Sequence, residues 1–321
     1  MKAAAMIVFA LGVAFCGMAE DAAKSLKVLM IGNSFSISVL REMPKIADDM
    51  GLRLDLCSLY IGGCSLERHV ANMKNPSSHP YRVTWSYRSQ GDDATPFKAA
   101  LVRSAHGKSW LGNIPAMLGA DRWDVVTIQQ ASSESWRSET YEPFGTELLA
   151  EIAKLAPQAR VFVQQTWSYT PWDSRLARWG FDQDEMFARL KRSYETFAGA
   201  HSLPLIRMGE AVQMFRRETP DLYGERINND VCGVDSFVCK DGKWRPDGDV
   251  FHLNAKGCYL QGLVWVATLF GEDVAKSSLK RDGGIENAEN VGKTRKTLGT
   301  CRKMRRRAIG WRLRKTVEKS A

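Results

Sequence analysis

KVLMIGNSFS, residues 27–36, decides the fold. Lys27 to Ile31 is a short apolar run with two β-branched residues, and it reads as a buried strand. Gly32-Asn33-Ser34 breaks that strand. A hydroxyl at the carboxyl end of a parallel strand lies where open α/β sheets place their chemistry. Taken alone, Ser34 reads as readily as the cap of the next helix.

Working outward, four further segments repeat the strand pattern: Arg53 to Tyr60, Trp123 to Gln130, Arg160 to Thr166 and Leu205 to Met208. Helical periodicity lies between and after them. Leu40, Met43, Ile46 and Met50 share one face. Ser65 caps a helix to about Met73, and Pro143 opens one through Leu155. Further helices are predicted over Phe181 to Ala200, Glu210 to Arg217 and Ala255 to Phe270. Strands alternating with helices predict a parallel sheet of about five strands covered on both faces, an α/β/α architecture. Residues 74–122, rich in Pro, Ser, Gly and Trp, read as an insertion over the sheet. Residues 219–248 read as a long loop.

The 321 residues are 44% hydrophobic, enough for a sizeable core. Residues 1–19 have the form of a secretory signal: Lys2, an apolar run from Ala3 to Phe15, and small residues before cleavage near Ala19. Export to the periplasm or beyond is therefore expected. A lipoprotein anchored through Cys16 is disfavoured by the bulky Phe15 before it. The apolar run is too short to span a bilayer, so no transmembrane segment is expected. The net charge of +9 is misleading. Residues 291–321 hold twelve Lys and Arg against Glu318 alone, and the other 290 residues sum to −2. The body gives no electrostatic reason to bind nucleic acid. Residues 276–321 read as a basic, solvated tail, open to weak contact with an anionic surface. This leaves residues 20–275 as the folded domain. Of seven cysteines, Cys232 and Cys239 lie close enough in sequence to close a small ring. The cysteines lack zinc-site spacing, so neither a metal nor another cofactor is expected.

Four segments carry the chemistry: GNS at 32–34, IGG at 61–63, QQASS at 129–133 and DVFH at 249–252. The first three follow strands and fall along one sheet edge. In the fourth, one turn aims the His252 imidazole at Ser34 while Asp249 orients it. That is the logic of a Ser-His-Asp triad. The Ser34 and Gly63 backbone N–H groups and the Gln130 side-chain amide are placed to receive an oxyanion.

In this order the segments resemble the SGNH/GDSL hydrolase superfamily over roughly residues 26–271. The likeness is to a bacterial secreted branch of unassigned function with GNSFS in place of GDSL. The resemblance implies a flavodoxin-like three-layer fold and a nucleophile at Ser34. It matches the second-block glycine to Gly63, with Gly62 the rival, and the terminal Asp-x-x-His to Asp249 and His252. Two departures stand out. Asn33 replaces the usual aspartate, and IQQAS replaces Gly-x-Asn-Asp. Sialate-esterase-like members carry a glutamine there, which aligns with Gln130; Gln129 competes. Trp167 and Tyr169 are candidates to stack on a sugar ring. The function implied is a secreted esterase acting on an O-acyl, foremost O-acetyl, group of a glycan. Two other readings stay open: an inactive SGNH fold that binds carbohydrate, and an envelope-surface protein acting through its tail.

Overall fold

Strand β1 (Ser25–Gly32) is buried on both faces, which is what a central parallel strand requires. In the computed structural model, which describes residues 25–87, 96–218, 230–233, 237–240, 243–246 and 248–279, β1 lies parallel between β2 (Arg53–Tyr60) and β6 (Val125–Ile128). Strands β7 (Arg160–Gln164) and β8 (Leu205–Ile206) continue the parallel set beyond β6. All five expected strands are present, within a mixed sheet of eight ordered β4-β5-β3-β2-β1-β6-β7-β8.

The extra three strands correct the reading of residues 74–122. β3 (Tyr81–Ser86), β4 (Val102–Arg103) and β5 (Trp110–Gly112) do not lie over the sheet; they extend its edge, antiparallel from β2 outward. The cause is visible in β3. Tyr81 and Val83 are buried while Arg82 and Thr84 are exposed, the one-sided alternation of an antiparallel strand. The expected long loop at 219–248 is likewise corrected, since β9 (Phe237–Lys240) and β10 (Lys243–Pro246) pair within it as a separate antiparallel ribbon.

Two cores flank the sheet, so the fold is a three-layer α/β/α sandwich. Leu29 and Ile31 of β1 face a layer that includes α3 (Leu66–Met73), α4 (Ile114–Gly119), α5 (Phe144–Leu155), α7 (Gln183–Ala200) and α8 (Met208–Glu218). Val28 and Met30 face α2 (Met43–Asp49) and α9 (Ala255–Phe270). This period-two division along one strand is what places the end of β1, and Ser34 after it, between the two layers. No helix among the described residues is long and apolar enough to cross a membrane.

Domain contacts continue past residue 275. Ser277 and Ser278 donate to Asp49, and the Tyr259 hydroxyl donates to the Leu279 carbonyl. The expected signal at 1–19 and the tail from 280 onward lie outside the described residues, as does the Cys239 side chain.

Gly257, in the first turn of α9, is where that helix meets the chain leading to His252. A Cβ there would overlap the Val231 carbonyl oxygen and sit 2.7 Å from Leu253 Cδ2. Alanine is ordinarily the better helix former by about 1 kcal/mol. Here Gly257→Ala should instead destabilise by about 1–3 kcal/mol through overpacking, read as a lower urea midpoint.

Candidate active site

The turn after β1 is built by Asn33, not by Ser34. Asn33 caps α1 (Ser34–Ile37), its side-chain oxygen accepting from Phe35 N–H at 3.0 Å. Ser34 is therefore the first helical residue, half-buried, with its hydroxyl free of the capping role. Gly32 must lack a side chain, because a Cβ would collide with Ser36 Oγ.

His252 reaches this turn from the segment before α9. Its Nε2 lies 2.8 Å from Ser34 Oγ, and its Nδ1 lies 2.5 Å from Asp249 Oδ2. The other Asp249 oxygen accepts from the backbone N–H groups of Phe251 and His252. Partial burial pushes the Asp249 carboxyl up, but the hydrogen bonds from the His252 ring and these backbone groups prevail and hold it at about 2. An ionised Asp249 fixes the proton on Nδ1 and turns the Nε2 lone pair toward Ser34. The site is open: the side chains of His252 and Asp249 remain 34% and 42% exposed.

The second segment is fastened to the first. Ile61 N–H donates to the Gly32 carbonyl, and Cys64 N–H closes the turn on Ile61 O. Asn33 Nδ2 donates to the Cys64 carbonyl at 3.0 Å. Gly63, exposed and at φ +59°, occupies the left-handed position of this turn, which suits glycine. Behind it, His69 is fully buried, with Nδ1 2.9 Å from the Tyr81 hydroxyl and 3.5 Å from Cys64 Sγ. Burial, aided by the Arg68 charge, pushes the His69 imidazole down to about 3.

The third segment corrects one assignment. Gln130 accepts from the N–H groups of Leu66 and Ala131, and its Nε2 donates to Thr140 O and Oγ1. Both amide hydrogens are thereby committed to the scaffold, and none is left for an oxyanion. Gln129 is the residue at the turn that carries Ser34. Its Nε2 donates to Asn33 Oδ1 at 2.5 Å, and its Oε1 is buried without a partner among the described residues. The two side chains have different partners, Gln129 at the Asn33 turn and Gln130 at Leu66 and Thr140.

Trp167 and Tyr169 also lie elsewhere than expected. They are 0% and 1% exposed, so neither presents a face to a sugar. Trp167 stacks on Phe35 with centroids 4.1 Å apart and donates Nε1–H to the Phe251 carbonyl. Tyr169 and Phe251 enclose Arg175, whose guanidinium sits 4.1 Å from each ring centroid. Together they brace the backbone on which His252 rides.

A second brace was not visible in any motif. Arg216 and Asp230 form a buried ion pair at 2.8 Å, and Arg216 also donates to Ser168 O and Oγ. From Asp230 the chain pairs with the segment carrying His252: Gly233 N–H donates to His252 O, and Asn254 N–H to Val231 O. An arginine on a helix eight residues beyond a strand, and an aspartate in a loop, gave no sequence signal of this partnership.

The fold is a three-layer sandwich that brings Ser34, after its first strand, together with His252 and Asp249. The chain belongs to the DUF4886 family, a domain of unknown function, whose family model matches residues 27–297. It is similar to the crystal structure of a DUF4886 family protein from Bacteroides uniformis, at 21% identity and TM-score 0.65, covering 87% of this chain and 94% of that one. More distant similarities are to an acetyl xylan esterase, AlAXEase (12%, TM-score 0.48, 76% and 100% covered), and to a lipase/acylhydrolase from Enterococcus faecalis (14%, 0.43, 77% and 96%). No curated protein matches the sequence.

Two outcomes follow for stability. Gln130→Ala leaves the Leu66 and Ala131 N–H groups and Thr140 without their partner, and should cost about 1–3 kcal/mol in denaturant unfolding. His69 is neutral when folded and binds a proton readily when unfolded, so the unfolded state gains protons first on acidification. Its contribution is fully present above about pH 6.5 and is lost as pH falls toward 3. The urea midpoint should therefore drop more between pH 7 and 5 in the wild type than in His69→Gln.

Proposed function

We propose that this protein is an exported serine esterase that removes an O-acyl group, foremost O-acetyl, from a carbohydrate. One observation carries the reading: Ser34 Oγ, His252 and Asp249 form a continuous hydrogen-bonded line, 2.8 Å and 2.5 Å, beside the Gly63 turn. His252 Nε2 takes the hydroxyl proton as Ser34 Oγ attacks the ester carbonyl. The backbone N–H groups of Ser34 and Gly63 receive the oxyanion, joined by the Gln129 amide hydrogen that Asn33 does not use. Collapse expels the alcohol, which takes the proton from His252. Water then attacks the acyl-Ser34 ester, giving its proton to His252, and the acid leaves as the Ser34 hydroxyl reforms. The carbohydrate and acetyl parts of the reading draw on export and on the sequence resemblance.

A fluorophosphonate probe should label the wild type at Ser34, and p-nitrophenyl acetate should be hydrolysed. Ser34→Ala should abolish both; labelling that survives the substitution would remove Ser34 from the mechanism. Because Asp249 is held at about 2, kcat/KM should show no ionisation from it between pH 4 and 7.

The oxyanion assignment has its own test. Gln129→Ala should lower kcat by about 10²–10³, while Gln130→Ala should leave the folded fraction nearly as active as the wild type. The reverse pattern would exchange the two roles.

A further inference from the structure

His69 is a fully buried titratable group that the triad does not use. Helix α3 starts two residues after Cys64, capped by Ser65, and its first turn carries the His69 ring back over Cys64. Nδ1 lies 3.5 Å from Cys64 Sγ and 2.9 Å from the Tyr81 hydroxyl. The His69 and Tyr81 rings are parallel, with centroids 5.7 Å apart. Tyr81 opens β3, the first strand of the sheet extension. One imidazole thus ties that extension to the turn that follows β2.

A Cβ built on Gly63 would meet no atom beyond its chain neighbours within 4 Å, so packing at Gly63 does not hold the turn. Its direction is set through Cys64, which is held at three points. Cys64 N–H donates to Ile61 O at 3.3 Å, its carbonyl accepts from Asn33 Nδ2 at 3.0 Å, and its thiol meets His69. The thiol is where the turn is anchored to α3 and β3. His69 Nε2 is buried without a partner among the described residues. An apolar side chain in this place would avoid that unanswered nitrogen. What the imidazole adds is a directional contact, which sets the place of the thiol more closely than packing alone. Burial holds the imidazole down at about 3 and pushes the Cys64 thiol up to about 12, so this bracket is uncharged at neutral pH. The segment carrying His252 is braced by charged residues instead, Arg216 and, on α6 (Ser174–Trp179), Arg175.

We propose that His69 is a positioning residue for the esterase reaction: through Cys64 it fixes the Gly63 N–H where the oxyanion forms, with Tyr81 holding the ring. This rests on the esterase reading above. A displaced donor still admits the substrate but loses its aim at the charge that develops in the transition state. The loss therefore belongs to kcat and not to KM.

The test compares the full-length wild type with His69→Leu, His69→Asn and Tyr81→Phe. Active sites are counted with the fluorophosphonate probe, so that kcat refers to folded enzyme. Substrates are p-nitrophenyl acetate and its thiono analogue, in which sulfur, a weak hydrogen-bond acceptor, replaces the carbonyl oxygen. On the oxygen ester, His69→Leu should lower kcat about 10- to 100-fold with KM nearly kept. Tyr81→Phe should lower it about three- to tenfold, the worth of one hydrogen bond. His69→Asn keeps a polar atom at the place of Nδ1 and should recover most of the loss. In His69→Leu and Tyr81→Phe the ratio of oxygen-ester to thionoester kcat/KM should fall with kcat, which a general loss of stability would not produce. An unchanged ratio in His69→Leu overturns the positioning role and leaves a serine esterase standing. If His69→Leu does not fold, Tyr81→Phe, which removes a single oxygen, decides by the same ratio. A wild type with no turnover and no fluorophosphonate labelling overturns the esterase reading and this role with it.

Discussion

The Asn33 side-chain amide is the junction on which the site depends. Its oxygen receives Phe35 N–H and Gln129 Nε2, and its nitrogen donates to the Cys64 carbonyl. One residue therefore joins the ends of β1, β2 and β6, three neighbouring parallel strands. An aspartate could not take this place equally well. A carboxylate would face the Cys64 carbonyl with no hydrogen to offer, and a buried acceptor left without a donor costs about 1–3 kcal/mol. Here the third segment supplies a glutamine donor and the second a carbonyl acceptor. Only a group with both an acceptor and a donor answers both at once.

The segment carrying Asp249 and His252 depends on interactions of a different kind. Asp249 and His252 are partly exposed, so their own contacts are made in a screening environment. What fixes them lies beneath. The Arg216–Asp230 pair is almost wholly buried and satisfied by further hydrogen bonds to Ser168 and the Val231 N–H. Breaking one partner of such a pair leaves an uncompensated buried charge, which costs far more than the pair contributes net. The segment from 230 to 233 is therefore held in one place, and through its pairing with 252–254 so is the imidazole. The Trp167–Phe35 stack and the Arg175–Phe251 contact hold the other side.

Much of this was readable in the sequence because it rests on local rules. The five parallel strands follow from apolar runs, and α9 spans the Ala255–Phe270 stretch that its apolar run predicts. The meeting of Ser34, His252 and Asp249 was legible because Ser34 follows a strand and the Asp-x-x-His spacing is local. What was missed depends on tertiary partners. Residues 74–122 became a sheet extension because the β2 edge was there to pair with, which no local pattern states. Gln129 and Gln130 are chemically identical, and only their partners tell them apart: Asn33, far away in sequence, for Gln129, and Leu66 and Thr140 for Gln130. Trp167 and Tyr169 looked like surface aromatics because they follow a strand, yet Phe35 and the 249–252 segment cover them.

The openness of the site bears on how its electrostatics operate. Hydrogen-bond donors aimed at an oxyanion act most strongly when water is excluded. With His252 and Asp249 in contact with solvent, the protein alone does not supply that exclusion. A bound molecule lying over the imidazole would exclude that water and lower the local dielectric as it binds. Contacts remote from the reacting atoms would then appear partly in the chemical step.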